Sequence, residues 1–485
     1  MNFVRVGWSF LTASLLVSLL AAEAAAQDVA ADAPRPVPGT NLAPTTTPSP
    51  VAAPAPAPTG FLFDTGAPLA GIGSDLANYG VYLKGFYTGV FYADPSGGTR
   101  NTNVFYNDAF YGADFVLDKM LGISIGTVIH FSLDSRWGGV PQGVNDKTGF
   151  SEGFLVGTGP DNNTRLNELS IDQHLLDDKI RFVVGRVTLA DYFGTSQLYC
   201  QFVSSLCSNM VPFNWSSNSN NPFFPIATWA GQIAFWPTNN YYVRVGASEA
   251  NSSQFNQAGF PWNAGWGTRG ATGVFLPVEA GYVTRASEVQ YPTKVDVGFY
   301  HDTSNFNTVS LVNPQNDSAQ GSSVVYGQVR QMIYRPDPKG PATIDSFAGA
   351  LFSLTGHVPV QSYFEAGLVA NGLVPGRPND SIGLDFLQFQ FNHRYTGLVT
   401  QEFSNEGYVG RNDSNQSELV ELNYGFGVAP GVTVKPYAQY TFHPDQNIYT
   451  IASPKPGVNY AFATGVQLFV LVGPALGLPG FFREY

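Results

Sequence analysis

The stretch MLGISIGTVIHFSLD at residues 120–134 sets the tightest limit on what this chain can fold into. Ile123, Ile125, Thr127, Ile129, Phe131 and Leu133 occupy every second position, with Ser124, Gly126, Val128, His130, Ser132 and Asp134 between them. A period of two is the spacing of a β-strand whose faces meet different surroundings. Soluble strands usually run about five or six residues, whereas a strand crossing a bilayer needs about 9–11 at a tilt. The length of this alternation suits an oily face toward lipid and a small or polar face toward water. Taken alone, one such strand also fits a half-buried place in a soluble sandwich, so the rest of the chain has to decide.

The pattern recurs. In YGVYLKGFYTGVFYADP, Val81, Leu83, Tyr87 and Phe91 alternate with Tyr82, Lys84, Phe86 and Thr88. LSIDQHLLDDKIRFVVGRV reads as a hairpin turning at Asp177-Asp178-Lys179, with Glu168, Ser170, Asp172 and His174 on one face and Leu169, Ile171 and Leu175 on the other. AFWPTNNYYVRVGAS turns at Pro237 to Asn240. The clearest hairpin descends through Val420, Leu422, Tyr424, Phe426 and Val428 to Ala429-Pro430-Gly431. It returns through Val432, Val434, Pro436, Ala438 and Tyr440, with Lys435, Tyr437 and Gln439 opposite.

Tight connections near 119, 178, 238 and 430 alternate with long polar ones at about 136–165, 191–227, 250–271, 303–321 and 394–416. Short turns at one end and long loops at the other are the asymmetry of outer-membrane barrels. The pattern predicts an all-β fold: a transmembrane, antiparallel, up-and-down β-barrel of about sixteen strands, with 394–404 as a questionable extra strand. A helix is expected only around 68–78. An open edge in hydrocarbon would leave N–H and C=O groups unpaired at several kcal/mol each, so the sheet must close. Sixteen strands leave room for an aqueous channel.

The N-terminus reads as a secretory signal peptide: Arg5, an apolar run from Trp8 to Ala22, and Ala24-Ala25-Ala26, with cleavage after about Ala26. Residues 27–59, mostly Ala, Pro, Thr and Val, cannot bury a core and read as an extended, disordered linker. Residues 60–485 are then the barrel domain. No other apolar run is long enough for a membrane helix. Only 12% of the chain is charged, against about 25% in an average soluble protein, which with the abundant aromatics suits a large lipid-facing surface. A formal net charge of −12 argues against nucleic acid as a partner.

Cys200 and Cys207, the only cysteines, are expected to pair in an exported protein; a metal site there lacks further ligands. Gly122-Ile-Ser-Ile-Gly126 matches the nucleophile elbow of hydrolases, but Ser124 falls inside the alternation instead of at a strand-to-helix turn. The six histidines are scattered, and no phosphate-binding loop occurs. No catalytic residue, metal site or cofactor is expected. An outer-membrane esterase and a surface adhesin remain as competing readings.

Several segments resemble the carbohydrate-selective porin family (OprB type): IRFVVGRVTLADYFGTSQLYCQFVSSLC, WPTNNYYVRVGASEAN, VYGQVRQMIYRP, GLVPGRPNDSIGL and VTVKPYAQYTFHPDQN. They follow one another in order over about residues 70–470. The resemblance implies a bacterial outer-membrane channel through which glucose and other sugars diffuse passively; a general or acid-selective porin is the alternative. Outer-membrane lipid and small sugars are the implied partners, and monomer or homotrimer is left open. Two features depart from the family: the Pro-rich 27–59, and the tail GPALGLPGFFREY after the closing strand. Phe482 or Tyr485 in that tail would have to serve as the terminal aromatic.

A sugar offers a flat C–H face and a rim of hydroxyls, so a channel that favours it needs aromatic platforms beside charged hydrogen-bonding groups. Two loops carry such residues: DSRWGG, with Arg136 and Trp137, and NQAGFPWNAGWGTRG, with Trp262, Trp266 and Arg269. The same tryptophans would also suit an interfacial girdle or loop packing. Arg377 and Asp380 lie in a family-like loop, as substrate ligands or as an ion pair fixing the turn. Glu168, Asp172, Arg181, Arg244, Lys294 and Asp296 are the candidate lumen charges.

Overall fold

The structure, a computed structural model, describes residues 61–63, 66–98, 101–139, 163–204, 218–256, 266–307, 318–405, 407, 414–444 and 458–480. The expected signal peptide and linker, Cys207, Trp262, Phe482 and Tyr485 lie outside those residues.

Sixteen strands, all among the described residues, form one closed barrel. They are β1 Val81–Gly97, β2 Thr102–Val116, β3 Thr127–Gly138, β4 Asn163–Leu175, β5 Ile180–Val187, β6 Thr228–Phe235, β7 Tyr241–Ala250 and β8 Gly273–Val283. The second half comprises β9 Thr293–Asn307, β10 Ser318–Tyr334, β11 Thr343–Ser353, β12 Val360–Asn371, β13 Ser381–Phe391, β14 Gln416–Ala429, β15 Val432–Phe442 and β16 Tyr460–Leu471. Every strand pairs antiparallel with its neighbour in sequence, and β1 closes the ring on β16, with Tyr87 opposite Val470 and Phe91 opposite Val466.

The alternation read from the sequence is the alternation of the wall. On β3, Val128, His130, Ser132, Asp134 and Arg136 are buried inside, and Ile129, Phe131 and Leu133 face outward. Outward residues such as Ile171, Phe182, Ile233, Val245, Leu384 and Leu422 stay exposed, which only a hydrocarbon surrounding makes favourable over so large an area. Aromatics rim both ends of that band: Phe235, Tyr241 and Tyr334 by the short turns, and Phe105, Trp137, Trp229, Phe352 and Tyr460 by the loops.

Two expectations are corrected. The strand at 120–134 begins only at Thr127. Leu117–Leu121 form a short helix, α2, closed by Gly122 in the left-handed region at φ 67°. Asp118 then accepts hydrogen bonds from the Ile125 and Gly126 N–H groups, and Gly126, also left-handed, turns the chain into β3. Ile123, Ser124 and Ile125 therefore belong to a turn outside the membrane-crossing segment. The doubtful strand at 394–404 is a helix, α3, His393–Asn405.

The expected helix near 68–78 is α1, Ala70–Asn78, at the short-turn end. Beyond β16 the tail folds into α4, Val472–Leu476, and returns against α1. Leu69 donates to the Leu476 carbonyl at 2.9 Å, and Gly73 comes so close to Leu478 that a Cβ would lie 2.9 Å from it. The residues after the closing strand thus pack on the barrel's own N-terminal helix.

Candidate functional site

The connection between β5 and β6 enters the barrel. Its described parts, 188–204 and 218–227, are mostly buried. Two turns of 3₁₀ helix, Leu189–Tyr192 and Gln197–Gln201, present Leu189, Phe193, Leu198 and Tyr199 to the wall. With Phe202 these side chains join Phe347, Leu351, Tyr363 and Phe389 of β11–β13 in one apolar cluster. Tyr199 meets Phe347 edge-on at 5.6 Å and Phe202 meets the same ring at 5.7 Å. The loop is held inside because its apolar side chains find an apolar inner wall there.

Wall carboxylates fix its backbone. Glu279 of β8 accepts from the Gly194 N–H at 2.6 Å, and Asp302 of β9 from Asn220 at 2.7 Å. Glu421 of β14 takes both the Val203 and Ser204 N–H groups, at 3.0 and 2.6 Å. Carboxylates accepting from buried amides are among the stronger hydrogen bonds. Cations complete the frame: Lys294 donates to the Thr195 carbonyl at 2.6 Å, Lys435 to the Gln201 carbonyl at 2.7 Å, and Arg244 to the Tyr192 carbonyl.

Another part of the inner wall, on β1–β5, carries mostly charged and polar inward side chains. A chain of close contacts between ionisable side chains runs around these strands. Lys84 reaches Asp114 at 2.7 Å and Glu168 at 3.5 Å. His130, fully buried, sits between Asp114 at 2.5 Å and Asp172 at 3.3 Å. Asp172 closes the chain on Arg181 at 2.5 Å. Opposite signs placed side by side across a lumen produce a transverse field and narrow the path.

A cavity of about 300 Å³ lies beside this chain, at the small end of the range typical of ligand sites. Lys84, Asp114, Glu168, Asp191, Phe86 and Phe110 are among its lining residues, with Tyr192 and Phe224 from the inward loop. Phe86 and Phe110 stack at 5.3 Å and 15°, giving a flat apolar panel beside the ion pairs. Phe224 approaches both rings, at 6.2 and 6.1 Å. Tyr192 donates to Glu168 at 3.3 Å. Burial, and then Glu168 beside it, push the Asp191 carboxyl up to about 8.

All six charges expected inside the barrel point inward, but they divide. Glu168, Asp172 and Arg181 belong to the chain on β1–β5. Arg244, Lys294 and Asp296 lie under the inward loop, where Lys294 pairs with Asp296 at 3.4 Å and Arg244 sits over the Tyr242 ring at 4.4 Å.

The loop residues expected at the constriction do not assemble there. Arg136 is inside, paired with Asp134 at 3.0 Å and Asp108 at 3.2 Å, and lies over Phe224 at 5.3 Å. Trp137 follows it on the strand and therefore faces out, 42% exposed, with Tyr87 as its ring neighbour at 6.1 Å. Trp266 packs with outward-facing Trp229 at 6.3 Å and over Arg186 at 5.8 Å, away from the cavity. Arg269 is exposed in the same loop, its carbonyl bonded to Asn251.

Arg377 and Asp380 form a two-pronged pair at 2.9 and 2.8 Å in the turn between β12 and β13. Asp380 also accepts from Tyr424 at 2.6 Å and the Gly427 N–H at 3.0 Å. That geometry braces the turn. Desolvation opposes the charge on Asp380, but hydrogen bonds from Arg377, Tyr424 and Gly427 hold its carboxyl below the usual carboxylate range.

Lys84, Phe86, Asp114 and Phe110 went unselected in the sequence reading. For Lys84 and Phe86 a signal was present, because both lie on the polar side of the first alternating segment. Phe224 carried none; it reaches the cavity only because a long loop folds inward. Among the described residues no free cysteine occurs, and no group of His, Cys, Asp and Glu side chains is placed to hold a metal ion.

Comparison with known proteins adds sequence kinship to this geometry. Porin B of Pseudomonas aeruginosa is 26% identical over 396 residues, covering 76% of this chain and 85% of that protein. The high-pH structure of Pseudomonas putida OprB superposes with a TM-score of 0.71 at 20% identity, over 86% of this chain and 99% of that one. Its low-pH structure gives 0.50 at 17% identity, over 82% and 94%. The model of the carbohydrate-selective porin, OprB family, matches residues 106–468, and with the sixteen-strand barrel already in view, the chain belongs to that family.

Proposed function

We propose that the protein is an outer-membrane channel through which sugars diffuse passively toward the periplasm, without catalysis or energy coupling. The observation that carries this reading is the lumen cavity that sets the stacked Phe86 and Phe110 rings beside Lys84, Asp114 and Glu168. Such a panel suits the C–H face of a pyranose, while the charged groups suit its hydroxyls. The sugar ligands we propose are therefore these residues with Tyr192, in place of Trp137, Trp266 and Arg269. Conduction also requires a weak site, because a tightly held solute would not leave.

Planar-bilayer conductance with increasing sugar tests the assignment. Saturable block in the millimolar range is expected, about 4 kcal/mol of binding. Replacing Phe86 and Phe110 by Ala should raise the half-blocking concentration several-fold. Sugar entry into liposomes that follows solute size alone, with no saturable block, would make the protein a general porin instead. Absence of pores would favour the adhesin reading.

Export through a signal peptide cleaved after about Ala26, an extended segment at 27–59, and a Cys200–Cys207 bridge complete the proposal. The intact mass of non-reduced mature protein checks the cleavage site and the loss of two thiol hydrogens together.

A further inference from the structure

We infer that Phe224 sets the width of the sugar path, and with it the largest solute that the channel admits. This rests on the cavity beside Lys84 and Phe86 being that path. The cavity lies between two parts of the chain: Phe86 and Phe110 line it from β1 and β2, and Phe224 lines it from the inward loop. From Asn221 to Thr228 every residue is buried except Phe224, so this is the one side chain of the segment presented to open space.

The backbone on either side of Phe224 is fastened. Before it, the Asn220 N–H is held by Asp302 at 2.7 Å and the Asn221 side-chain oxygen by Ser248 at 2.7 Å. After it, the Ile226 N–H donates to the Phe223 carbonyl at 2.9 Å, and Arg186 donates to the Ala227 carbonyl. The ring itself stands 6.2 Å from Phe86 and 6.1 Å from Phe110, tilted by 33° and 47°. Those separations are contact distances for aromatic rings, roughly 4.5–7 Å. A sugar ring held between two such faces would need them about 7–8 Å apart, twice the contact distance between carbon atoms. The sugar therefore passes beside Phe224, not beneath it, and the edge of that ring bounds the space. Arg136 over the same ring at 5.3 Å adds a cation–π contact that keeps it in place. A cavity of about 300 Å³, at the small end of ligand sites, then suits one sugar ring better than two linked ones.

The test uses the refolded full-length barrel. Entry of glucose, sucrose and raffinose is followed by liposome swelling, and pore width is read in planar bilayers from the size of polyethylene glycol that stops lowering the conductance. Phe224→Ala should raise sucrose entry relative to glucose several-fold and move the polymer cut-off to larger chains. Phe224→Leu should fall between Ala and wild type, and Phe224→Trp should narrow the pore below wild type. The glucose concentration for half-block should stay close to wild type in Phe224→Ala, because the Phe86–Phe110 panel is intact. A graded order that follows side-chain size is what a width-setting ring requires; a loop that merely came loose would not produce it. An unchanged cut-off in Phe224→Ala, or an order unrelated to side-chain size, would overturn the assignment. Wild-type pores that admit no glucose would overturn the sugar channel itself, and the polymer cut-off would still decide the role of Phe224.

Discussion

The inner face of β11–β13 and the inner face of β1–β4 obey the same alternation and do opposite things. On β11–β13 the inward positions carry Phe347, Leu351, Val360, Tyr363, Leu387 and Phe389, all buried. On β2–β4 the corresponding positions carry Asp108, Asp114, His130, Asp134, Glu168 and Asp172. The first wall is covered by the inward loop and packs like the interior of a soluble protein. The second is laced with ion pairs and borders the cavity. A barrel of this width leaves space that side chains alone cannot fill. An apolar strip on one wall gives a long loop a place to dock, and that docking decides where the passage lies.

Truncation on the packed wall should have the largest effect. Phe389→Ala removes a ring that meets Tyr363 at 4.8 Å and Phe391 at 6.1 Å, and should cost about 3–5 kcal/mol in urea unfolding of the folded barrel. Lys84→Ala, on the charged wall beside the cavity, should cost much less while changing conductance more. A reversal of that order would break the contrast between the two walls.

A middle effect is expected where the loop is fastened. Glu421→Gln leaves one carbonyl oxygen for four donors, the Val203 and Ser204 N–H groups and the Asn423 and Gln439 side-chain amides. The expected loss is about 1–3 kcal/mol, with noisier single-channel current as the loop loosens. A quiet current together with unchanged stability would mean the apolar contacts alone hold the loop.

The smallest effect lies below the packed wall, in the turn braced by Asp380. Its carboxyl is held low, so the brace is fully present above the unfolded carboxylate pKa of about 3.9 and is lost as pH falls through the lower folded value. Asp380→Asn should cost about 1 kcal/mol at neutral pH, solvent screening having reduced the strength of the charged bonds. The deficit should vanish in strong acid. A deficit that persisted there would point to the shape of the side chain, not its charge.

The amino-acid order by itself determined the wall. Alternation is a local property, since successive side chains on a strand must point to opposite faces whatever surrounds them. Strand number, turn asymmetry and the inward direction of Glu168, Asp172 and Arg181 could therefore be read residue by residue. The same rule, applied strictly, also separates Arg136 from Trp137, because adjacent strand residues cannot share a face. Local reading failed where backbone conformation departed from the pattern: two left-handed glycines and Asp118 made a turn of Ile123 to Gly126 despite their alternation. Only the tertiary structure decided the site. Phe224 is more than a hundred residues from Phe86 and Phe110 in sequence, and what joins them is a loop whose apolar residues dock across the lumen. That docking depends on which wall offers complementary apolar surface, and period-two spacing carries no information about it.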